Sequence, residues 1–237
     1  MSLSRLASIR AQVEERIPGA LRTYERSAHE LIRLDMPELE GIPRSALTQI
    51  CAPPEISSGK TSLLLELMAD LTAGDGHCAL VDGSDAFDPL SAETAGVDLR
   101  RVFWVRCRAQ HHLKPVEQAF KCADILLQNG GFGLIAVDLG SIDARRISKV
   151  PLSTWFRFAR VVESMRTALV FLVSSPVAQS CAALTVYLRA KAQWSGPARP
   201  AHAQVLSGLT FEVESAHGRL RKPVQSIARD SRPAAGR

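Results

Sequence analysis

The chain has 237 residues, enough for one α/β domain with terminal additions and too few for two. Its 46% hydrophobic and 22% charged residues describe a soluble globular protein and exclude a disordered one. A net charge of +5 and a pI near 9.2 admit an acidic partner without requiring one. No apolar run reaches the ~18 residues of a membrane span, and Met1–Arg5 lacks the apolar block of a signal peptide, so the expected setting is the cytoplasm with no membrane partner. The five cysteines (Cys51, Cys78, Cys107, Cys122, Cys181) form no CxxC pair and read as reduced core residues.

Leu3, Leu6, Arg10, Val13 and Ile17 fall at helical spacing and predict an amphipathic helix ending near Pro18-Gly19. A second helical stretch is expected over Leu21–Leu34, so that 1–40 forms a helical extension. Pro37 and Gly41-Ile42-Pro43 then punctuate the chain. From 41 to 216 strands and helices alternate. Strands are expected at Ala46–Cys51, His77–Asp82, Val102–Cys107, Gly133–Asp138 and Thr167–Ser174. Helices are expected at Thr61–Ala73, Ser91–Ala95, Pro115–Asn129 and Ser153–Ser164. Near-continuous apolar runs such as Leu134–Val137 and Leu169–Val173 predict strands buried on both faces. The expectation is an α/β fold with a mostly parallel central sheet flanked by helices. Thr185–Ala190, Leu209–Ser215 and, past the His217-Gly218 turn, Arg219–Lys222 read as a C-terminal β-hairpin. Residues 217–237, rich in arginine, read as a flexible basic tail.

Between the first core strand and helix lies Pro53-Pro54-Glu55-Ile56-Ser57-Ser58-Gly59-Lys60-Thr61-Ser62. A phosphate-binding loop sits at such a junction: backbone N–H groups at the helix N-terminus surround the phosphates, the lysine adds charge and the Thr hydroxyl ligates magnesium. Gly59, Lys60 and Thr61 supply that end of GxxxxGK[ST]. Its opening glycine falls on Pro54, which fixes φ and removes a donor, so the first turn cannot take its usual form. Three readings stand open: weakened ATP/Mg binding, a relic loop that keeps its shape without nucleotide, and a chance polar cap.

The residues around this loop resemble RecA, whose loop reads GPESSGKT and whose next strand runs into CAFIDAEHALDP. Here Cys78–Pro89 (CALVDGSDAFDP) matches in register, followed by Gly96-Val97-Asp98, Val116–Phe120 and Leu134–Asp138. The resemblance covers about residues 41–175 and implies a RecA-like P-loop core. Its nucleotide contacts would come from Glu55, Ser57, Ser58, Gly59, Lys60, Thr61, Ser62 and Asp138, with magnesium at Thr61 and Asp138. It also exposes departures. The catalytic glutamate falls on Ser84, too weak a base at neutral pH, and losing a general base costs about 10²–10⁴-fold in rate. Asp85 could replace it only from a differently directed position. RecA's coupling glutamine falls near Ser175. Shortness and erosion resemble the ImuA group, as do Leu6–Arg10 and Gly41–Leu47. That resemblance implies a role in DNA-damage-induced mutagenesis beside RecA or an ImuB-like Y-family polymerase relative, with single-stranded DNA as a further partner.

Arg145, Arg146 and Lys149, then Arg157 and Arg160, follow the strand after which RecA carries its first DNA loop. They are candidates for phosphate contact, with Trp155 or Phe156 as a base-stacking ring. The alternative is a solvated helix face with Trp155, Phe158 and Val162 in the core. Arg189 and Lys191 form a second basic candidate, but Pro176–Cys181 is a short link, which argues against RecA-like threading of DNA. His111-His112 has no companion ligands and predicts no metal site. The expected function is therefore an accessory protein with weak or absent ATP hydrolysis. The alternatives are an active DNA-dependent ATPase forming filaments, and a SulA-like cell-division inhibitor.

Overall fold

The computed structural model describes residues 30–34, 39–53, 58–108, 114–196, 205–217, 220–222 and 227–229. The chain first forms a two-stranded antiparallel sheet, β1 (Leu31–Arg33) with β2 (Gly41–Pro43). This corrects the helix expected to run to Leu34. Leu31, Ile32 and Arg33 alternate exposed, buried, exposed, the two-residue period of a strand, and β-branched Ile32 is buried in the main core. Ile32 and Leu34 thus pack into the main core ahead of the boundary expected at 41. The helix expected over Leu3–Ile17 and most of the second one lie outside the described residues.

The main sheet has six parallel strands at its centre: β3 (Ala46–Cys51), β4 (Cys78–Asp82), β5 (Val102–Arg106), β6 (Leu134–Asp138), β7 (Ala168–Val173) and β8 (Leu184–Ser195). Their order is β8-β3-β7-β6-β4-β5. Strands β3, β4, β6 and β7 are buried at every residue, as their apolar runs require. The helices between them are α1 (Lys60–Ala73), α2 (Pro89–Thr94), α3 (Pro115–Asn129), α4 (Ala144–Ile147) and α5 (Leu152–Glu163).

Alternate residues along each strand separate two cores. On one face Leu63, Leu67 and Met68 of α1 pack on Leu80, Ala136 and Val170. On the other, α3 and α5 pack on Val81, Val137 and Phe171. The second core centres on an aromatic cluster: Trp155 lies 4.8 Å from Phe171 and 5.0 Å from Phe120, both edge-on. Such pairs add about 0.5–1.5 kcal/mol each beyond area burial. Because α1 covers one face while α3 and α5 cover the other, the loops diverge at the C-terminal ends of the strands, and the crevice they leave is where α/β sheets place ligands.

Past β8 the sheet turns antiparallel. β9 (Val205–His217) pairs with β8, and β10 (Leu220–Lys222) and β11 (Ile227–Arg229) pair with β9. The expected hairpin is longer than its apolar residues suggested, and two short strands stand within the stretch expected to be a flexible tail. The link after β7 is held by Gln49 of β3. Its side chain is buried, its Oε1 accepts from Val177 N–H (3.1 Å) and Ala178 N–H (3.2 Å), and its Nε2 donates to Thr185 Oγ1 at 2.8 Å. A buried amide satisfied at three positions fixes a short turn where a mobile loop would need free backbone.

Candidate functional site

Gly59 begins the site. It sits at φ 75°, ψ 6°, immediately before α1, a left-handed conformation that costs a residue with a Cβ ~1–2 kcal/mol. Among the described residues no side chain caps α1, and Gly59 C=O accepts from Leu63 N–H at 2.9 Å. The helix therefore presents its first N–H groups and the positive end of its dipole outward. Ser58 is buried, whereas Thr61 and Ser62 are exposed on the first turn. Glu55 and Ser57 lie outside the described residues.

Lys60 reaches from α1 across to the end of β6. A Cβ built on Gly140 would overlap Lys60 Nζ and Cε and stand 3.1 Å from Asp138 Oδ1, so glycine at 140 is what admits the ammonium beside the carboxylate. Asp138 is buried and its Oδ1 accepts from Gly140 N–H at 2.8 Å and from Ser84 Oγ–H at 3.0 Å. Burial pushes the Asp138 carboxyl above the usual range, while the two donors and the Lys60 charge pull the other way. Neighbouring Asp82, opposite Asp138 in the sheet register, also raises it. The Asp82 carboxylate is itself occupied: it accepts from Ala86 N–H, Phe87 N–H and Trp104 Nε1–H at 3.1–3.3 Å and so shapes the turn after β4.

Ser84 does not stand free at the mouth of the site. While its hydroxyl donates to Asp138, its oxygen accepts from Ser141 N–H at 3.2 Å, so it ties the turn after β4 to the turn after β6. Gly83 beside it brings the two turns together: its N–H donates to Asp138 C=O at 2.9 Å, and a Cβ there would stand 2.8 Å from that oxygen. Asp85 is engaged elsewhere. With φ 50° it turns outward and pairs with Arg106 of β5 at 2.6 Å, on the side of β4 away from β6. Gly83, Gly140 and Ser141 were missed in the sequence, where glycine after a strand ending in aspartate was the only available sign.

The basic candidates divide. Arg145, Arg146 and Lys149 are exposed around α4, whose N-cap is Asp143. Arg146 and Lys149 border an open groove of ≈ 990 Å³ that also reaches Gly83 and Ser141. Arg157 is instead paired with Asp124 at 2.6 Å and laid over Phe158, and Arg160 is exposed further along α5. Arg189 lies on β8, separated from β6 by β3 and β7, beside a small pocket of ≈ 220 Å³ with Ser175 and Tyr187. Lys191 lies on the same strand opposite Thr210, and its side chain is outside the described residues. Trp155 is 1% exposed and cannot stack on a base, which leaves Phe156, 52% exposed. Among the described residues no cluster of His, Cys, Asp or Glu could hold a metal by itself, and no helix is long and apolar enough to cross a membrane. His111 and His112 lie outside them.

The model of the RecA N-terminal domain family matches residues 31–147, which contain Lys60, Ser84 and Asp138. Protein RecA of Rubrobacter xylanophilus is 34% identical over 98 residues, 41% of this chain. The match spans 26% of that relative's length, about a quarter. The parallel α/β sheet and these matches agree: the chain is built on a RecA-like core.

Proposed function

We propose that the chain is a RecA-related accessory protein that holds the phosphates of ATP without appreciable turnover and serves as an adaptor in the DNA-damage response, in the manner of ImuA proteins. The observation that carries the proposal is the state of Ser84. A general base must be free to take a proton from water, and this hydroxyl is spent on Asp138 and Ser141. The binding half of the site fits its ligand better. An uncapped helix N-terminus, the Lys60 ammonium, the exposed Thr61 hydroxyl and a buried carboxylate are the donor set that a magnesium-bound phosphate uses. Magnesium, when bound by Thr61 with Asp138 behind it, offsets phosphate charge. The chain's own residues orient that phosphate: Gly59 aims the amides and Gly140 leaves room for the Lys60 ammonium.

The adaptor half of the proposal is supported by the match to a RecA domain in a chain whose link after β7 is short and fixed by Gln49. Partners on this reading are RecA or an ImuB-like polymerase relative, with single-stranded DNA as a further partner. Titration calorimetry with Mg-ATP and a turnover assay, with and without single-stranded DNA, test the site in wild type beside Lys60→Ala. The expected result is binding weakened about tenfold or more by Lys60→Ala, a loss of ~1.4 kcal/mol, and turnover indistinguishable between the two proteins. Sustained magnesium-dependent turnover in wild type that Lys60→Ala abolishes overturns the reading.

A further inference from the structure

The groove beside α4 has features that the phosphate site does not use. Its floor is apolar, formed by Val116 and Phe120 of α3, Ile142 after β6, and Val150 before α5. Its rim carries four exposed cations, Lys114, Lys121, Arg146 and Lys149, against two acids, Glu117 and Asp143. Asp143 is already engaged in capping α4 through Arg145 N–H. Several arginines elsewhere are matched: Arg100 and Arg101 with Asp98, Arg106 with Asp85, Arg157 with Asp124, Arg166 with Glu30, while Arg33, Arg108, Arg160 and Arg189 stand singly without an ion pair among the described residues. The four groove cations form no ion pair among the described residues. A surface that gathers four unmatched cations around one apolar floor is complementary to an anionic amphipathic ligand.

Three ligand classes meet that description unequally. A small molecule needs convergent buried polar groups, and none of the buried polar side chains lines the groove. Single-stranded nucleic acid needs an aromatic platform as well as charge, and Phe120, the aromatic ring here, is 8% exposed and turned into Trp155, Phe158 and Phe171. A peptide with apolar anchors on one side and Asp or Glu on the other satisfies both floor and rim. We propose that this groove docks an acidic amphipathic segment of a partner protein, with its apolar side chains over the part-exposed Ile142 and Val150 and its carboxylates toward Lys114, Lys121, Arg146 and Lys149. The inference deepens the adaptor reading, on which it rests, by locating where a partner is held.

The test is selection of a displayed library of random 16-residue peptides on the full chain, followed by affinity measurement of the enriched peptides. The pool is expected to gain Asp and Glu interleaved with Leu, Ile or Phe. Binding is expected to fall at least tenfold in Lys121→Glu/Lys149→Glu, whose exposed positions leave the fold intact by circular dichroism. A gentler variant, Lys121→Gln/Lys149→Gln, is expected to lose less, because it removes attraction without adding repulsion. Binding by Lys60→Ala is expected to match wild type, which separates failure of the groove from failure of the phosphate site. A pool without acidic bias, binding unchanged in both double variants, or displacement of the peptides by a thirty-nucleotide oligothymidine at its own dissociation constant each overturns the proposal, the last in favour of nucleic acid.

Discussion

If Ser84 is a tie and not a reagent, its removal registers first in stability. Ser84→Ala deletes a hydroxyl that donates to the Asp138 carboxylate at 3.0 Å and accepts from Ser141 N–H at 3.2 Å. A hydrogen bond to a charged group contributes about 1.5–3 kcal/mol, and an exposed amide that can turn to water loses only a fraction of that. The expected cost is about 2 kcal/mol at pH 7, a fall in Tm of roughly 4–8 °C for a chain of this size. The pH dependence has a definite sign. Burial raises the Asp138 carboxyl and the Ser84 bond lowers it, so the variant's carboxyl titrates higher still in the folded state. A raised folded-state value gives stability that is fully present at low pH and lost as pH rises through it. The gap between variant and wild type is therefore wider above the folded-state titration of Asp138 than below it, and closes as pH falls through that titration. Urea unfolding at a series of pH values between 4 and 8 measures the gap directly. Unchanged stability at pH 7 together with loss of a real ATP turnover would refute the reasoning, because that pair of results belongs to a base.

Two further outcomes follow from burial. Trp155→Ala empties the centre of the second core and is expected to cost about 3–5 kcal/mol, whereas Phe156→Ala on the exposed side of the same helix stays within about 0.5 kcal/mol; paired chemical denaturation curves check both. Asp138→Asn keeps an oxygen for Ser84 and Gly140 while removing a carboxylate that burial raises, and is expected to flatten the pH dependence of stability of the apo protein. Melts at pH 7 and pH 4 check it, the difference between the two being smaller in the variant than in wild type.

The parts of the fold visible in the sequence are those set by neighbours along the chain. Leu169–Val173 had to be buried on both faces, Pro115 had to start a helix, and Ser58-Gly59-Lys60-Thr61 had to lie between a strand and a helix. Each expectation stands in the structure, to within a residue or two at the ends. The errors fall where distant pairing overrides local pattern. Leu31–Arg33 reads equally as helix or strand, and only Gly41–Pro43, eight or more residues on, decides for strand. The charge of the last segment says nothing about Ile227–Arg229, whose partner is the far side of a hairpin. Gln49 gave no sign of its role, because its three partners lie more than a hundred residues away in sequence.

The candidate site divides in the same way, and the division bears on mechanism. Lys60 and Asp138 were legible because each belongs to a local motif. Ser84 was legible only as a missing glutamate, since its actual bonds depend on β4 and β6 being neighbours with Gly83 and Gly140 at their ends. On the function proposed above, those bonds replace a chemical function by a mechanical one. Ser141, whose amide holds Ser84, also borders the groove, so two hydrogen bonds connect the wall of the groove to the carboxylate behind the phosphate position. A glutamate at 84 could not make this connection, because its carboxylate would face the buried Asp138 carboxylate with no proton to donate. Retaining a base and tying the two turns together are thus exclusive demands on one position, and this chain meets the second.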